Sequence, residues 1–113
     1  ARTIQVLLPG IPQIYYVGLL AGINDMALLE STGVGRDVNR HRYSADEVRT
    51  ALARPVVQHQ VDVLRWRGTE PAFGGEFELL DSADHLLVVR WQSTDSAFTA
   101  SVDVRTGSIT IER

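Results

Sequence analysis

No cysteine occurs in these 113 residues, which excludes a disulfide framework, a thiolate zinc site and a cysteine nucleophile. Lysine is missing as well, and all 11 basic side chains are arginine. The three histidines, His41, His59 and His85, lack the close His–His or carboxylate–His spacing that metal sites use, so neither a metal nor a cofactor is expected. Long apolar runs are also missing. The most continuous, Ile14 to Leu20, is interrupted upstream by Pro9-Gly10 and is far too short for a membrane-spanning helix. No charged-then-apolar leader opens the chain. It starts on Ala1, and its single methionine is Met26, so it reads as a processed protein or a piece of a longer one.

What is present is ordinary for a folded domain: 44% hydrophobic, 22% charged and 7% aromatic residues, enough for one domain or part of one. The net charge of −3 is unevenly spread. Residues 36–67 hold seven arginines against four acids, whereas residues 68–113 hold three against eight. The cluster Arg36, Arg40, His41, Arg42, Tyr43 resembles a nucleic-acid patch locally, but the acidic tail argues against a nucleic-acid partner.

Along the chain, residues 1–8 read as the end of a helix with Ile4, Leu7 and Leu8 on one face, stopped by Pro9-Gly10. Residues 11–17, IPQIYYV, are β-branched and aromatic and are expected to form a buried parallel strand with Tyr15 and Tyr16 on opposite faces. Residues 18–43 are expected to be a long loop rich in glycine, with at most two helical turns at residues 25–31. A connection of that length points to function or disorder. Asn24 and Asp25 suit a turn or a helix cap.

Ser44 and Glu47 have the spacing of a capping box, which places a helix start at Ser44. Pro55 is expected to open a second helix with Val56, His59, Val63 and Trp66 inward and Gly68 as its stop. His59 is therefore expected at the edge of the core. From residue 76 the period changes to two. Strands are expected at 76–81, 85–91, 97–104 and 108–112, with turns at 81–84, 93–96 and 105–108, and His85 facing solvent. Such short connections make an antiparallel meander with one face packed. The fold class is α+β.

The block PGIPQIYYVG, followed by GINDMALLESTGVGRDVNRHRYS and then RPVV, resembles the C-terminal part of the sucrose phosphorylase family, within the α-amylase superfamily of (β/α)8 barrels. The superfamily shows Gly-x-Pro-x-x-Tyr-Tyr-Gly-x-Glu around barrel strand 8. Here Gly10, Pro12, Tyr15 and Tyr16 match, Val17 displaces the next glycine to Gly18, and no glutamate follows. Those departures are typical of the sucrose phosphorylase branch, and sister phosphorylases of sucrose 6-phosphate, glucosylglycerol and glucosylglycerate stay open.

The resemblance implies that residues 1–72 are the end of barrel helix 7, strand 8, the following loop and helix 8, and that residues 73–113 are a small antiparallel β tail domain. It implies retaining glucosyl transfer from sucrose to phosphate in a cytoplasmic parent enzyme. Such chemistry needs two carboxyl groups about 5–5.5 Å apart. The family supplies them, and a third stabilising aspartate, from strands 4, 5 and 7, so this chain is expected to hold no catalytic residue and to be inactive alone. It is expected to hold a substrate contact, because Arg36 matches an arginine that lines the acceptor and phosphate subsite. A planar guanidinium makes paired, charge-assisted bonds to phosphate or sugar hydroxyls.

The competing reading for Arg36 is a bridge to a loop carboxylate such as Asp37, and Arg40 and His41 are expected to make loop-stabilising pairs. Two other readings of the whole chain are a stand-alone, non-catalytic α+β module for binding or assembly, and an anion-binding domain built on Arg36–Arg42. Without its neighbours in a barrel, strand 11–17 would present bare edges, so self-association through it is expected.

Overall fold

In the computed structural model, which describes residues 1–113, contacts divide the chain into two units, Ala1–Ile11 with Val63–Arg113, and Pro12–Asp62. The first unit contains helix α1 (Arg2–Leu7), the C-terminal part of α5 (Pro55–Thr69), a 3-10 turn at Pro71–Gly74 and a four-stranded sheet. Its strands β1 (Glu76–Leu80), β2 (Leu86–Gln92), β3 (Ala97–Asp103) and β4 (Ile109–Glu112) pair in sequence order, every pair antiparallel.

Alternation in the sequence becomes one packed face. Phe77 faces Trp91, which faces Phe98, while Val89 faces Ala100, which faces Ile111. Leu7, Ala72, Val89, Trp91, Phe98, Ala100 and Val102 form the core, joined by Ile4, Trp66, Phe73, Phe77 and Leu87. The rings of Trp66, Phe73 and Phe98 meet at centroid distances of 4.9–5.0 Å, with Phe73 edge-on to both partners as aromatic quadrupoles favour and Trp66 tilted against Phe98. Full burial of a valine or phenylalanine here is worth about 1.5–3 kcal/mol each. The turn into β4 is closed by the Asp103 carboxylate, which accepts from the amides of Arg105 (2.8 Å) and Thr106 (3.1 Å), with Gly107 taking a φ of +75°.

The second unit contains α2 (Tyr16–Leu19), α3 (Met26–Thr32), a 3-10 turn at Gly35–Asn39, α4 (Ala45–Leu52) and the start of α5. A small core joins Leu20, Ala51 and Val57, with Ala21, Tyr43, Val48 and Val61 against it. Helix α4 begins with the expected capping box: the Ser44 hydroxyl accepts from the Glu47 amide, and the Glu47 carboxylate accepts from the Ser44 amide. The α2–α3 connection turns at Ala21, a non-glycine residue at φ +49°. Arg54 holds that turn by donating to the carbonyls of Ala21 (3.1 Å) and Leu20 (3.4 Å).

Several expectations are corrected. Residues 11–15 have no regular secondary structure, and Tyr16 begins a helix instead of continuing a strand. A strand is assigned through its neighbours' hydrogen bonds, and no sheet partner for this segment exists in the chain. Tyr15 and Tyr16 consequently do not alternate across a sheet; their rings lie 4.5 Å apart. Residues 18–43 are more ordered than a loop, since they hold the end of α2, all of α3 and the 3-10 turn.

Helix α5 runs through Gly68 to Thr69, because Glu70 takes over as cap of the next turn, accepting from the Ala72 amide. Its inward face begins at Val57, fully buried, whereas Val56 and His59 are exposed. Leu8 and Val104 also point out. Helix α1 and the end of α5 pack with the sheet. No helix is long and apolar enough to cross a membrane.

Candidate functional site

The second unit gathers the polar chemistry. Asp25 caps α3, accepting from the Leu28 amide through Oδ1 at 2.9 Å, and its own amide donates to the Val38 carbonyl at 2.7 Å. That bond closes residues 25–38 into a loop around the 3-10 turn. Arg36 lies on this turn, exposed to solvent. Asp37 pairs with Arg40, at 3.9 Å, and not with Arg36. A bridge from Arg36 to Asp37 is therefore not what the chain adopts.

His41 ties the two helix starts together. Its Nδ1 lies 2.8 Å from Asp25 Oδ2 and its Nε2 lies 3.0 Å from Glu47 Oε1. Asp25 uses its other oxygen on Leu28, and Glu47 uses its other oxygen on the Ser44 amide at 2.7 Å. Each carboxylate thus spans one ring nitrogen and one backbone amide. The Tyr43 ring stands edge-on to His41 with centroids 4.6 Å apart, and the Tyr16 hydroxyl donates to the His41 carbonyl at 2.9 Å.

The electrostatics follow from these bonds. Glu47 is held at about 2, first by the Ser44 amide, then by the Ser44 hydroxyl and His41. Asp25 lies below the usual carboxylate value, first because of its bond to His41 and then through the Leu28 amide. His41 lies above the usual imidazole value because Asp25, then Glu47, accept from its charged form.

Around these groups lies an open hollow of about 560 Å³ whose wall includes Asn24, Asp25, His41, Tyr43 and Arg54. A second, of about 540 Å³, is lined by Tyr15, Tyr16, Asp37, Arg40 and Arg42 among others. Arg36 lines neither. The carboxylates of Asp25 and Glu47 occupy opposite nitrogens of one ring and do not converge on a point, and no group of three His, Cys, Asp or Glu side chains is placed to hold a metal ion. The chemistry available is hydrogen bonding and charge: an arginine-bearing turn, braced from behind. Sequence reasoning expected pairs for Arg40 and His41 but did not find this bridge. Its only local trace is the capping box at Ser44–Glu47.

No family model matches the chain. It is 49% identical over 111 residues to the sucrose phosphorylase of Agrobacterium vitis, covering 98% of this chain and 23% of that protein. It is 47% identical over 95 residues to the glucosylglycerol phosphorylase of Marinobacter adhaerens, covering 84% of this chain and 20% of that one. Among solved structures, the sucrose 6F-phosphate phosphorylase of Thermoanaerobacter thermosaccharolyticum superposes with a TM-score of 0.94 at 39% identity, over 98% of this chain and 23% of that one. The chain thus spans about a quarter of the length of the relatives it matches.

Proposed function

We infer, from its homology to the C-terminal region of the sucrose phosphorylases, that the chain serves as the C-terminal segment of a retaining glucosyl phosphorylase acting on sucrose and phosphate in the cytoplasm. In this reading residues 1–72 complete a (β/α)8 barrel and residues 73–113 form its β tail. The segment 18–43 then follows a barrel strand, where such barrels carry their active sites. The observation that carries the reading is the 49% identity across nearly the whole chain.

Arg36 is the substrate contact in this reading. It binds phosphate or the acceptor sugar's hydroxyls, while the nucleophile, the acid/base and the third carboxylate come from the rest of the parent. Its exposure, with Asp37 committed to Arg40, supports that role. A chimera tests it, with these 113 residues replacing the matching segment of the Agrobacterium vitis enzyme. Arg36→Ala in that chimera is expected to raise the KM for phosphate at least tenfold, since a lost charge-assisted pair costs about 1.5–3 kcal/mol. An unchanged KM overturns the assignment. The 113-residue chain alone, given sucrose and phosphate, is expected to release no glucose 1-phosphate, and detectable product would contradict the reading.

Self-association belongs to the same proposal. Ile11 is 96% exposed and Tyr15 54% exposed, an apolar segment that the remainder of a barrel would cover. Light scattering of the chain at tens of micromolar is expected to show dimers or larger species, and a strictly monomeric chain counts against it.

A further inference from the structure

The turn that carries Arg36 leads directly into His41, and the residue that bonds the turn, Asp25, also bonds the His41 ring. The Asp25 amide donates to the Val38 carbonyl at 2.7 Å, and the His41 ring is suspended between the Asp25 and Glu47 carboxylates at 2.8 and 3.0 Å. Both acceptors are carboxylates already fixed at helix starts, Asp25 on Leu28 and Glu47 on Ser44. Only the imidazolium can donate from both nitrogens. A neutral ring donates from one and turns a lone pair toward the other carboxylate.

We propose that His41 is the positioning residue of this loop: as an imidazolium clasped by Asp25 and Glu47 it holds the Gly35–Asn39 turn, and with it Arg36, in place for a phosphate group, and it slackens when the ring loses its second proton to solvent. The inference rests on the reading of Arg36 as a phosphate contact. It assigns the control of that contact to a residue that touches no substrate.

The groups facing the clasp are consistent with this role. Tyr43 covers one edge of the ring, and Tyr16, from α2, holds the backbone carbonyl of His41. Arg40 is engaged by Asp37. Arg54, which shares the hollow with His41, is spent on the carbonyls of Leu20 and Ala21. Arg42 lines the other hollow with Tyr16. Asp25 and Glu47 are thus the only anionic groups bonded to the ring, and both favour its charged form.

Two measurements test the proposal. In the 113-residue chain, imidazole 15N shifts are expected to show both His41 nitrogens protonated up to a midpoint above the usual one near 6.5. Backbone relaxation of residues 35–40 is expected to show new mobility with the same midpoint as the ring. Asp25→Asn, which keeps an oxygen for Leu28, is expected to lower that midpoint. In the chimera, His41→Gln is expected to raise the phosphate KM about tenfold with kcat within about twofold, the pattern of lost ground-state binding.

His41→Arg, which stays charged and can donate on two sides, is expected to restore KM. The wild-type chimera is expected to show a phosphate KM that rises with pH as His41 deprotonates and that the His41→Arg chimera does not share, so comparison of the two cancels phosphate's own ionisation. A His41 midpoint at or below about 6.5, a turn whose order ignores the ring's titration, or a wild-type KM in His41→Gln where Arg36→Ala raises it, overturns the proposal. If Arg36→Ala leaves KM unchanged, the phosphate-contact reading fails instead, and the link to phosphate fails with it. The relaxation data then still decide whether the clasp orders the turn.

Discussion

The indole N–H of Trp91 donates to the carbonyl of Leu7 at 2.7 Å, a buried bond between residues 84 apart in sequence. Leu7 is at the end of α1, where the last carbonyls have no partner within the helix. Trp91 therefore does two jobs: it packs against Phe73 and Phe77, and it satisfies an acceptor shielded from water.

Removing the donor while keeping an aromatic ring separates these jobs. Trp91→Phe is expected to lower the unfolding free energy by about 2 kcal/mol, the cost of leaving a buried acceptor unsatisfied plus some lost packing. Urea titration followed by the fluorescence of Trp66, the other tryptophan, measures it. A loss under about 0.5 kcal/mol would mean that water reaches the Leu7 carbonyl.

Two glycines should respond in opposite directions. A Cβ at Gly75 would fall on the Gln92 carbonyl and lie 2.7 Å from the Ser93 Cα. Gly75→Ala is expected to cost about 1–3 kcal/mol, as overpacking against fixed backbone does. Gly68 is inside α5 with open space where a Cβ would be. Gly68→Ala is expected to stabilise by about 0.5–1 kcal/mol. Thermal melts of the two variants should move to opposite sides of the parent chain.

Local patterns in the sequence specify some of these elements and mislead at others. The strands were legible because alternation at Phe98, Ala100 and Val102 is a property of neighbouring residues, as is the box at Ser44 and Glu47. Gly68 misleads because a helix tolerates glycine when another residue, here Glu70, supplies the next cap. The segment 11–17 has strand composition, yet a strand is a relation to neighbours that this chain does not contain. His41 was legible as a pairing residue, but its bridge was not, since Asp25 is 16 residues away and only the fold of α3 brings it close. The exposure of Arg36 depends likewise on Asp37 having chosen Arg40.

Arg67 offers a test of arginine's planarity. Its guanidinium carbon lies 4.0 Å from the Phe73 ring centre and 4.9 Å from that of Trp91, while Nη2 donates to the Gly10 carbonyl at 2.9 Å. Burial lowers its pKa. Lysine would keep the charge but lose the flat stacking surface and the directed donor. Arg67→Lys is expected to destabilise the chain by about 1 kcal/mol, read from the urea midpoint. No change would mean that the two rings contribute packing alone.

The acid limb of stability depends on the capping box. Glu47 titrates at about 2 in the folded chain, against about 4.3 for a free glutamate. A depressed carboxylate stabilises the fold above its unfolded value and loses that contribution as pH falls through the folded one. Asp25, also depressed, acts in the same direction. His41, raised by both partners, contributes below its ordinary value near 6.5 and loses its contribution as pH rises through the raised one. Stability is therefore expected to be greatest between roughly pH 5 and 6.5, where all three act together. Ser44→Ala removes the hydroxyl from Glu47 and the cap from α4. It is expected to cost about 1 kcal/mol at neutral pH and to move the Glu47 midpoint upward, leaving the contribution of the Ser44 amide in place. The carboxyl 13C shift of Glu47, followed from about pH 6 to 1.5 in both chains, measures the displacement. An unmoved midpoint would show that the backbone amide and His41 hold the charge without the hydroxyl.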